Sequence, residues 1–403
     1  MSTTGAVERP ILKWRLVVVW AGLPLLLAAL NEFALNVALP SIRDEFGLDL
    51  SSVRWTLLAF LIADALVLIL AGRYGDRVGR RRTSVIGLVL IVPGSLVCAF
   101  APTFTVLIVG RVIEGIGMGI LFSGLLALIA DAVPRELIGR AFGLWAFIGA
   151  LSVLLSPVIG GALAEVASWR WIFGVNALIA IAALVAARRI ILPVTAPSPS
   201  RSLQHAALLR IRSYVAGTVV VSLIYFTVAL TWLALVFYVG AVHNLGPTMT
   251  GLAFVLYGVW WLVLPPFTGR LADRIGVRLP MLWGATVGAI GFIVLAFASP
   301  AENLVLLGLG LCLIGIGVAF VIPAANAAAM GSVPAEDRGD ASGINMTMRL
   351  VGSILGLVVG STLLASAGRD EVIVGAQWSW ILAAALMILA AIVSMTAIRP
   401  STR

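Results

Sequence analysis

The chain has 403 residues, of which 61% are hydrophobic and only 11% are charged. This composition excludes a soluble globular domain and predicts a membrane protein with many spans. The net charge of +9 does not indicate nucleic-acid binding, because the arginines are confined to particular loops. The two cysteines, Cys98 and Cys312, lie in apolar runs without metal-ligand spacing. No metal site, cofactor or nucleotide loop is indicated, so an enzyme is not predicted.

Apolar runs alternate with short polar segments along the whole chain. A membrane-spanning helix needs about 20 apolar residues, and the twelve runs that qualify are 16–40, 55–71, 83–101, 104–130, 141–164, 171–192, 214–241, 249–268, 280–299, 303–330, 341–367 and 378–398. The first run has no small-residue cleavage site, so we predict a span and not a signal peptide. The sequence therefore predicts an all-α membrane protein of twelve transmembrane helices.

The distribution of basic residues predicts the orientation in the membrane. With a cytoplasmic N-terminus, 21 of the 27 basic residues lie in inner loops or termini and four lie in outer loops. Loops rich in arginine stay on the cytoplasmic side. Both termini are therefore predicted to be cytoplasmic, in a multi-pass protein of the bacterial inner (plasma) membrane.

A basic loop, 72–82, joins the second and third runs. It contains five arginines, three glycines and one carboxylate, Asp76. A shorter copy, 269–278, lies between the eighth and ninth runs. A loop that only anchors the topology is the alternative to a functional role, but the matching Gly and Asp positions favour a function.

The two halves of the chain repeat each other. The residues that recur 200 positions later are Val133, Pro134, Glu136, Gly139, Ala141 and Gly143. A linker rich in proline and serine, 193–212, separates a six-span half, 1–192, from a second six-span half, 213–403. Repeats of this kind form transporters whose substrate site lies between two moving halves.

Three carboxylates, Glu32, Asp64 and Glu114, lie inside spans of the first half. A charge at the bilayer centre costs about 2.5–3.5 kcal/mol on insertion scales, so each is a candidate functional group. At 1.5 Å per residue, Glu32 and Arg111 lie at a similar depth, about 12–14 Å from the outer ends of their spans. We expect Glu32 and Glu114, with Arg111 between them, to form a proton site, and Asp64 to contribute less. The alternatives are a static Arg111–Glu114 ion pair and a hydrogen-bonded structural role for Asp64.

The second half has no carboxylate inside a predicted span. Its one embedded charge, Arg349, is expected to extend to the cytoplasmic surface or to cap a helix. The seventh span carries Tyr225, Phe226, Thr231, Trp232 and Tyr238. Aromatic side chains facing a cavity would suit lipophilic, planar or cationic substrates, whereas packing against lipid or helices is the alternative.

The basic loop resembles the signature G-x-x-x-D-R-x-G-R-[R/K] of the major facilitator superfamily, where a full copy joins helices two and three and a degenerate copy joins helices eight and nine. The resemblance implies the major facilitator fold, with two pseudo-symmetric six-helix halves. It also implies a cytoplasmic latch that joins the halves in the outward-facing state. By resemblance, the latch residues are Gly72, Asp76, Arg77, Gly79 and Arg80, with Asp273 and Arg274 in the second copy.

Three further segments resemble the drug–proton antiporters of this superfamily. They are the first-helix signature at 31–40, the fourth-helix signature at 111–117 and the fifth-helix antiporter run at 149–161, which contains Ser156, Pro157, Gly160 and Gly161. In that group the fifth-helix run is tied to export, and close packing alone is the alternative. Asn31 stands where Asp is usual and Glu114 where Gln is usual, so Glu32 is expected to replace the usual carboxylate. Asn31 and Asn36 are expected to line the cavity beside it.

Together these features predict a secondary active transporter that exports drug-like or metabolite-like small molecules in exchange for protons, by alternating access. The expected partners are the substrate, protons and the lipid bilayer. No cofactor or nucleic acid is expected, the proton gradient would supply the energy, and the protein would act as a monomer. Two alternatives stay open. One is a facilitator or proton-coupled importer of a sugar or organic acid, and the other is a non-transporting receptor on the same scaffold.

Overall fold

The computed structural model describes residues 8–78, 80–123, 125, 128–129, 133, 137–189, 208–334, 337–364 and 369–397. Side chains are described at these positions except 8–13, 69–78, 80, 138–139, 189 and 338–339. Within these ranges the secondary structure is helical. Much of the predicted linker lies outside the described residues, and helix resumes in full at Arg212, the last linker position.

Twelve helical units, α1 to α12, follow the twelve predicted runs. Their bounds are α1 Glu8–Ala29, Leu30–Ala34 and Leu35–Phe46; α2 Leu50–Val53 and Trp55–Val78; α3 Arg80–Ala99; α4 Phe104–Phe122; α5 Ile138–Val166; α6 Arg170–Arg189; α7 Arg212–His243; α8 Pro247–Val263 and Pro265–Ile275; α9 Arg278–Ala301; α10 Leu304–Gly331; α11 Arg338–Leu363; and α12 Arg369–Ala397. Among the described residues, 11 helices are long and apolar enough to cross a membrane, or 12 when the two parts of α8 count as one span. The prediction of an all-α bundle of this size is confirmed.

Two local irregularities shape the bundle. In α1, the segment Leu30–Ala34 is a π-helical turn, a feature that often lies at functional sites and that shifts the facing of the residues around it. In α8, the two helical parts meet at an angle of 43°. The bend lies at Leu264-Pro265-Pro266. The helix is interrupted there because proline lacks the backbone N–H and restricts the residue before it.

Helix α1 is longer than the sequence predicted. Pro40 was expected to end the first span, but the helix continues through Pro40 to Phe46 and ends at Gly47, whose φ of +62° is left-handed. A helix can end this way because glycine has no Cβ to clash. The depth of Glu32 estimated from Pro40 therefore referred to the wrong end point.

The fifth-helix antiporter run lies at the seam between the two halves. A Cβ atom added at Gly161 would lie 2.3 Å from the carbonyl oxygen of Pro247 on α8, and one added at Gly251 on α8 would lie 2.3 Å from that of Pro157. On another face of α5, a Cβ at Gly160 would lie 2.5 Å from the Cα of Ala34 on α1. These glycines allow α5 to touch both neighbours at backbone distance.

Further contacts between the halves lie toward the end of the bundle that contains residues 47–49 and 244–246, which the arginine distribution predicts to be outside. Arg54 Nη1 donates a 2.7 Å hydrogen bond to Ser361 Oγ. Glu165 Oε2 accepts one of 2.8 Å from the backbone N–H of Thr248, at the start of α8. The predicted outer end is thus closed by direct contacts between the halves.

The orientation itself stays a prediction, and cysteine labelling tests it. In a variant without Cys98 and Cys312, single cysteines introduced at 73–82 or 270–278 should react in intact cells only with membrane-permeant thiol reagents, because arginine-rich loops stay in the cytoplasm. A cysteine at position 48 is the matched control and should react with an impermeant reagent. Labelling of the basic loops by the impermeant reagent would contradict the predicted topology.

Candidate functional site

A small cavity lies between the halves, near the middle of the bundle. Its polar lining residues are Asn31, Glu32, Asn36 and Ser353, and its aromatic lining residues are Phe33, Phe60, Tyr225 and Trp232. Its volume is about 40 Å³, which is room for only a few waters at about 10–15 Å³ each. A drug-sized ligand therefore requires the halves to move apart.

Four residues from four helices meet at one side of this cavity, and we call them the charge cluster: Glu32 of α1, Asp64 of α2, Tyr225 of α7 and Arg349 of α11. An oxygen of Glu32 lies 3.8 Å from Nη2 of Arg349, and both side chains are largely buried, with 14% and 19% exposure. The guanidinium carbon of Arg349 lies 5.0 Å from the centre of the Tyr225 ring. Asp64 is within electrostatic range of both Glu32 and Arg349. The cluster therefore joins the two halves through charge.

Two buried atoms of the charge cluster have no hydrogen-bond partner among the described residues. They are Oδ1 of Asp64 and Nε of Arg349. A buried polar atom without a protein partner is costly, so such atoms usually mark the position of a bound water or a functional site. The cluster consequently has capacity to bind a further proton, water or ligand.

The expectation for Arg349 was wrong. Its side chain does not extend to the surface but lies within the bundle, facing Glu32 of the other half. The sequence contained a signal, since an arginine on an apolar span is a functional candidate by default. It did not reveal the partner, because the facing of α11 toward α1 depends on how the two halves dock.

A second buried charge site surrounds Arg111 on α4. Its Nε donates to the carbonyl oxygen of Thr56 at 2.7 Å, its Nη1 donates to Glu114 Oε2 at 2.7 Å, and Asn31 accepts from the guanidinium through its side-chain oxygen and its carbonyl oxygen. The guanidinium carbon also lies 4.4 Å from the centre of the Phe60 ring. The donors of Arg111 are thus directed at fixed acceptors on three helices.

Glu114 is equally enclosed. Its Oε1 accepts a hydrogen bond of 2.5 Å from Ser95 Oγ, and its other oxygen bonds to Arg111. Both partners of the ion pair have 0% exposure. This geometry is that of the static-pair alternative, and it separates Glu114 from Glu32, which lines the cavity.

The adjacent residues Asn31 and Glu32 face different sites. Consecutive residues on a helix are rotated by about 100°, so Asn31 binds Arg111 while Glu32 faces Arg349. The predicted meeting of Glu32 with Arg111 is not observed as a direct contact; Asn31 occupies that position. Asn36 lines the cavity, and its Oδ1 has no partner among the described residues.

Some of the aromatic residues of α7 face the cavity, and others pack against helices. Tyr225 and Trp232 line the cavity, and the Trp232 ring lies 4.4 Å from Phe33 of the other half. Tyr238 packs away from the cavity and donates a 3.0 Å hydrogen bond to the Ser299 carbonyl. Thr231 binds the Thr227 carbonyl of its own helix. One wall of the cavity is therefore aromatic.

The structure describes only part of the predicted cytoplasmic latch. Gly79 lies outside the described residues. Only the backbone is described at Gly72, Asp76, Arg77 and Arg80. In the second copy, Asp273 and Arg274 are exposed near the end of α8. The role of the loop stays a prediction.

A substitution of Asp76 tests that role. We expect Asp76→Asn to fold normally and to transport several-fold more slowly, because a surface carboxylate contributes little to stability but its loss would shift the balance between conformations. Turnover in proteoliposomes measures this. Asp273→Asn, the matched change in the second copy, should have a smaller effect. Wild-type turnover in Asp76→Asn would indicate that the loop only anchors the topology.

A family model described as Major Facilitator Superfamily matches residues 23–239 and 217–403. The multidrug resistance protein Stp of Mycobacterium tuberculosis (strain CDC 1551 / Oshkosh) is 29% identical over 409 aligned residues, covering 87% of this chain and 76% of Stp. The tetracenomycin C resistance and export protein of Streptomyces glaucescens is 23% identical, covering 86% of this chain and 75% of that protein.

A solved structure supports the same fold. A bacterial homolog of the human lysosomal transporter Spinster, in an inward-facing and unoccupied conformation, aligns with a TM-score of 0.73 at 15% identity and covers 98% of each chain. At this identity the likeness concerns the fold alone. Together with the family match over both halves, it confirms the predicted architecture. The matched family is one of transporters and not of enzymes. The chain is a multi-pass membrane transporter that belongs to the Major Facilitator Superfamily.

Proposed function

We propose that this protein exports drug-like or metabolite-like small molecules in exchange for protons. The observation that carries the proposal is the charge cluster, in which Glu32 of one half pairs with Arg349 of the other half beside a central cavity, with Asp64 within electrostatic range of both. The names of relatives, a multidrug resistance protein and a resistance and export protein, support export over the importer alternative.

The charge cluster can couple proton binding to movement of the halves. At about 4 Å and an effective dielectric of 20, an ion pair is worth about 4 kcal/mol. Protonation of Glu32 removes most of this attraction to Arg349, so it weakens one of the contacts between the halves. A proton on the cluster therefore favours a different arrangement of the halves from an ionised cluster, as alternating access requires.

In this proposal the protons bind at Glu32 and Asp64, and Glu114 has a supporting role. Glu32 lines the cavity, and Asp64 has an oxygen without a partner, whereas Glu114 is enclosed by Arg111 and Ser95. The earlier expectation of a Glu32–Glu114 site is retained as the competing assignment. The variants described in the Discussion distinguish the two.

Substrate would bind in the cavity after the halves move apart. The aromatic wall suits planar or lipophilic molecules, and the carboxylates of the charge cluster are suited to a substrate that competes with protons. The halves 1–192 and 213–403 would move about this site, joined by the linker 193–212. We propose that the protein works as a monomer in the inner membrane, with both termini in the cytoplasm.

Proteoliposomes containing the purified protein test the function. A panel of aromatic amines, quaternary ammonium compounds and neutral aromatic compounds is added in the presence of a pH-sensitive dye. We expect some of these compounds to release protons from the protein and to move uphill when a pH gradient is imposed. Movement of substrate and protons in the same direction would favour the importer, and binding without any transport would favour the receptor.

A further inference from the structure

Arg349 is poorly supplied with partners for a buried arginine. A guanidinium carries five N–H donors and no acceptor. Its described contacts are one ion pair with Glu32 at 3.8 Å and the Tyr225 side chain, whose ring centre lies 5.0 Å away and which also forms a hydrogen bond with it. Its Nε has no partner among the described residues. The ion pair is near the upper limit of such contacts, so a single long contact joins Arg349 to Glu32.

Arg111 provides an internal comparison. It lies in the same bundle and is fully buried, yet it makes hydrogen bonds to the Thr56 carbonyl, to Glu114 and to Asn31. Removing Arg111 from its site would break all of these bonds at once. Removing Arg349 from Glu32 would break one long ion pair. The structure thus contains one arginine held by several short hydrogen bonds and one joined to its carboxylate by a single long ion pair, which a competing cation can replace.

The charges around Arg349 leave room for a second cation. Two carboxylates, Glu32 and Asp64, interact with its single guanidinium, and Tyr225 is the other titratable group that faces it. Arg111 also acts on Glu32, from the far side of α1, but its guanidinium is already paired with Glu114. When both carboxylates of the cluster are ionised, one negative charge remains without a matching positive charge.

The position of Arg349 places it beside the cavity and not in a separate site. It lies one helical turn from Ser353, and Asp64 lies one turn from Phe60, and both Ser353 and Phe60 line the cavity. Glu32 and Tyr225 are themselves lining residues. A cationic molecule that entered the cavity would therefore meet Glu32 and the Tyr225 ring, which are the two groups that Arg349 contacts.

We propose that Arg349 occupies part of the substrate site when the carrier is empty. Its guanidinium then pairs with Glu32, and a cationic group of the substrate takes that place when the carrier is loaded. The substrate class is then organic cations with an aromatic surface, because the Tyr225 face that carries the guanidinium can carry such a cation instead. This inference rests on the proposed function and adds a residue that sets selectivity. A weak cation cannot displace Arg349, whereas one that also fills the aromatic wall can.

Two probes of the same shape and opposite charge test the proposal, namely tetraphenylphosphonium and tetraphenylborate. Their binding to the purified full-length protein is measured in detergent at one fixed alkaline pH. We expect tetraphenylphosphonium to bind Arg349→Gln at least ~10-fold more tightly than wild type, equivalent to ~1.4 kcal/mol, because the tethered competitor is gone. The affinity for tetraphenylborate should not increase. Arg54→Gln removes another arginine contact between the halves and should leave both affinities unchanged.

Further variants keep the test decisive. The double variant Glu32→Gln with Arg349→Gln should not show the increased affinity for tetraphenylphosphonium, since the carboxylate for which Arg349 and the probe compete is absent. Arg349→Lys retains the charge and is expected to fold even where Arg349→Gln does not. A lysine lacks the planar group that stacks on Tyr225, so we expect a smaller gain of the same sign, about two- to three-fold.

The outcomes that overturn the inference are distinct from failure of the proposed function. Unchanged or weaker binding of tetraphenylphosphonium in both Arg349 variants would contradict it. Loss of tetraphenylborate binding in Arg349→Gln, with no gain for the cation, would make Arg349 an anion-binding group instead. Because the assay needs no gradient, a protein that binds as expected but releases no protons would refute proton-coupled export and leave the role of Arg349 standing.

Discussion

Glu32→Gln is expected to abolish export driven by a pH gradient, while downhill exchange continues with a reduced affinity for substrate. Glutamine has the shape of the protonated side chain but cannot exchange a proton, so the contact with Arg349 stays in its uncharged form at every pH. Substrate-induced proton release in proteoliposomes measures the coupling, and we expect it to fall to the level of protein-free liposomes. Counterflow of labelled substrate without a gradient should remain measurable.

Glu114→Gln is the matched control, because it makes the same chemical change at a carboxylate enclosed by Arg111 and Ser95. The resemblance to drug–proton antiporters places Gln at this position, so a milder effect is expected there. If Glu32→Gln and Glu114→Gln both release protons like wild type, and only Asp64→Asn does not, the proton site lies on α2. A loss in Glu114→Gln equal to that in Glu32→Gln would support the competing assignment.

Arg111→Ala is expected to destabilise the fold by about 3–5 kcal/mol, the usual cost of breaking a buried ion pair by removing one partner. The change leaves Glu114 with no counter-charge in a site of 0% exposure and removes the donor to the Thr56 carbonyl. Thermal unfolding in detergent, with the fraction of monodisperse protein, measures the loss. We expect a large drop in the melting temperature, or failure to purify.

The paired substitution Arg111→Met with Glu114→Met separates charge from packing. It removes both charges and fills similar space, so much of the stability should return. Arg349→Met, the same change at the loosely held arginine, should destabilise the protein much less than Arg111→Met alone. If Arg111→Ala melted like wild type but released no protons, the static-pair interpretation of Arg111 and Glu114 would be wrong.

The sequence by itself determined the class of this protein. Runs of about 20 apolar residues must form helices in a bilayer, since lipid offers no hydrogen bonds to the backbone, and the structure contains the corresponding helices. The internal repeat and the loop at 72–82 led to the same superfamily that the family match confirms. The small residues of the fifth-helix run were predicted as a packing seam or an export signature, and Gly160 and Gly161 do lie at backbone contacts.

Tertiary structure decided which charges meet. Spacing along a helix gives depth, but the direction of a side chain depends on the rotation of each helix and on any π-helical turn, and the one at Leu30–Ala34 has no sequence signal that we recognised. Asn31 and Glu32 are neighbours in sequence, yet one binds Arg111 and the other faces Arg349. That second partner comes from the other half, and the contact depends on how the two six-helix halves dock, which no local pattern encodes.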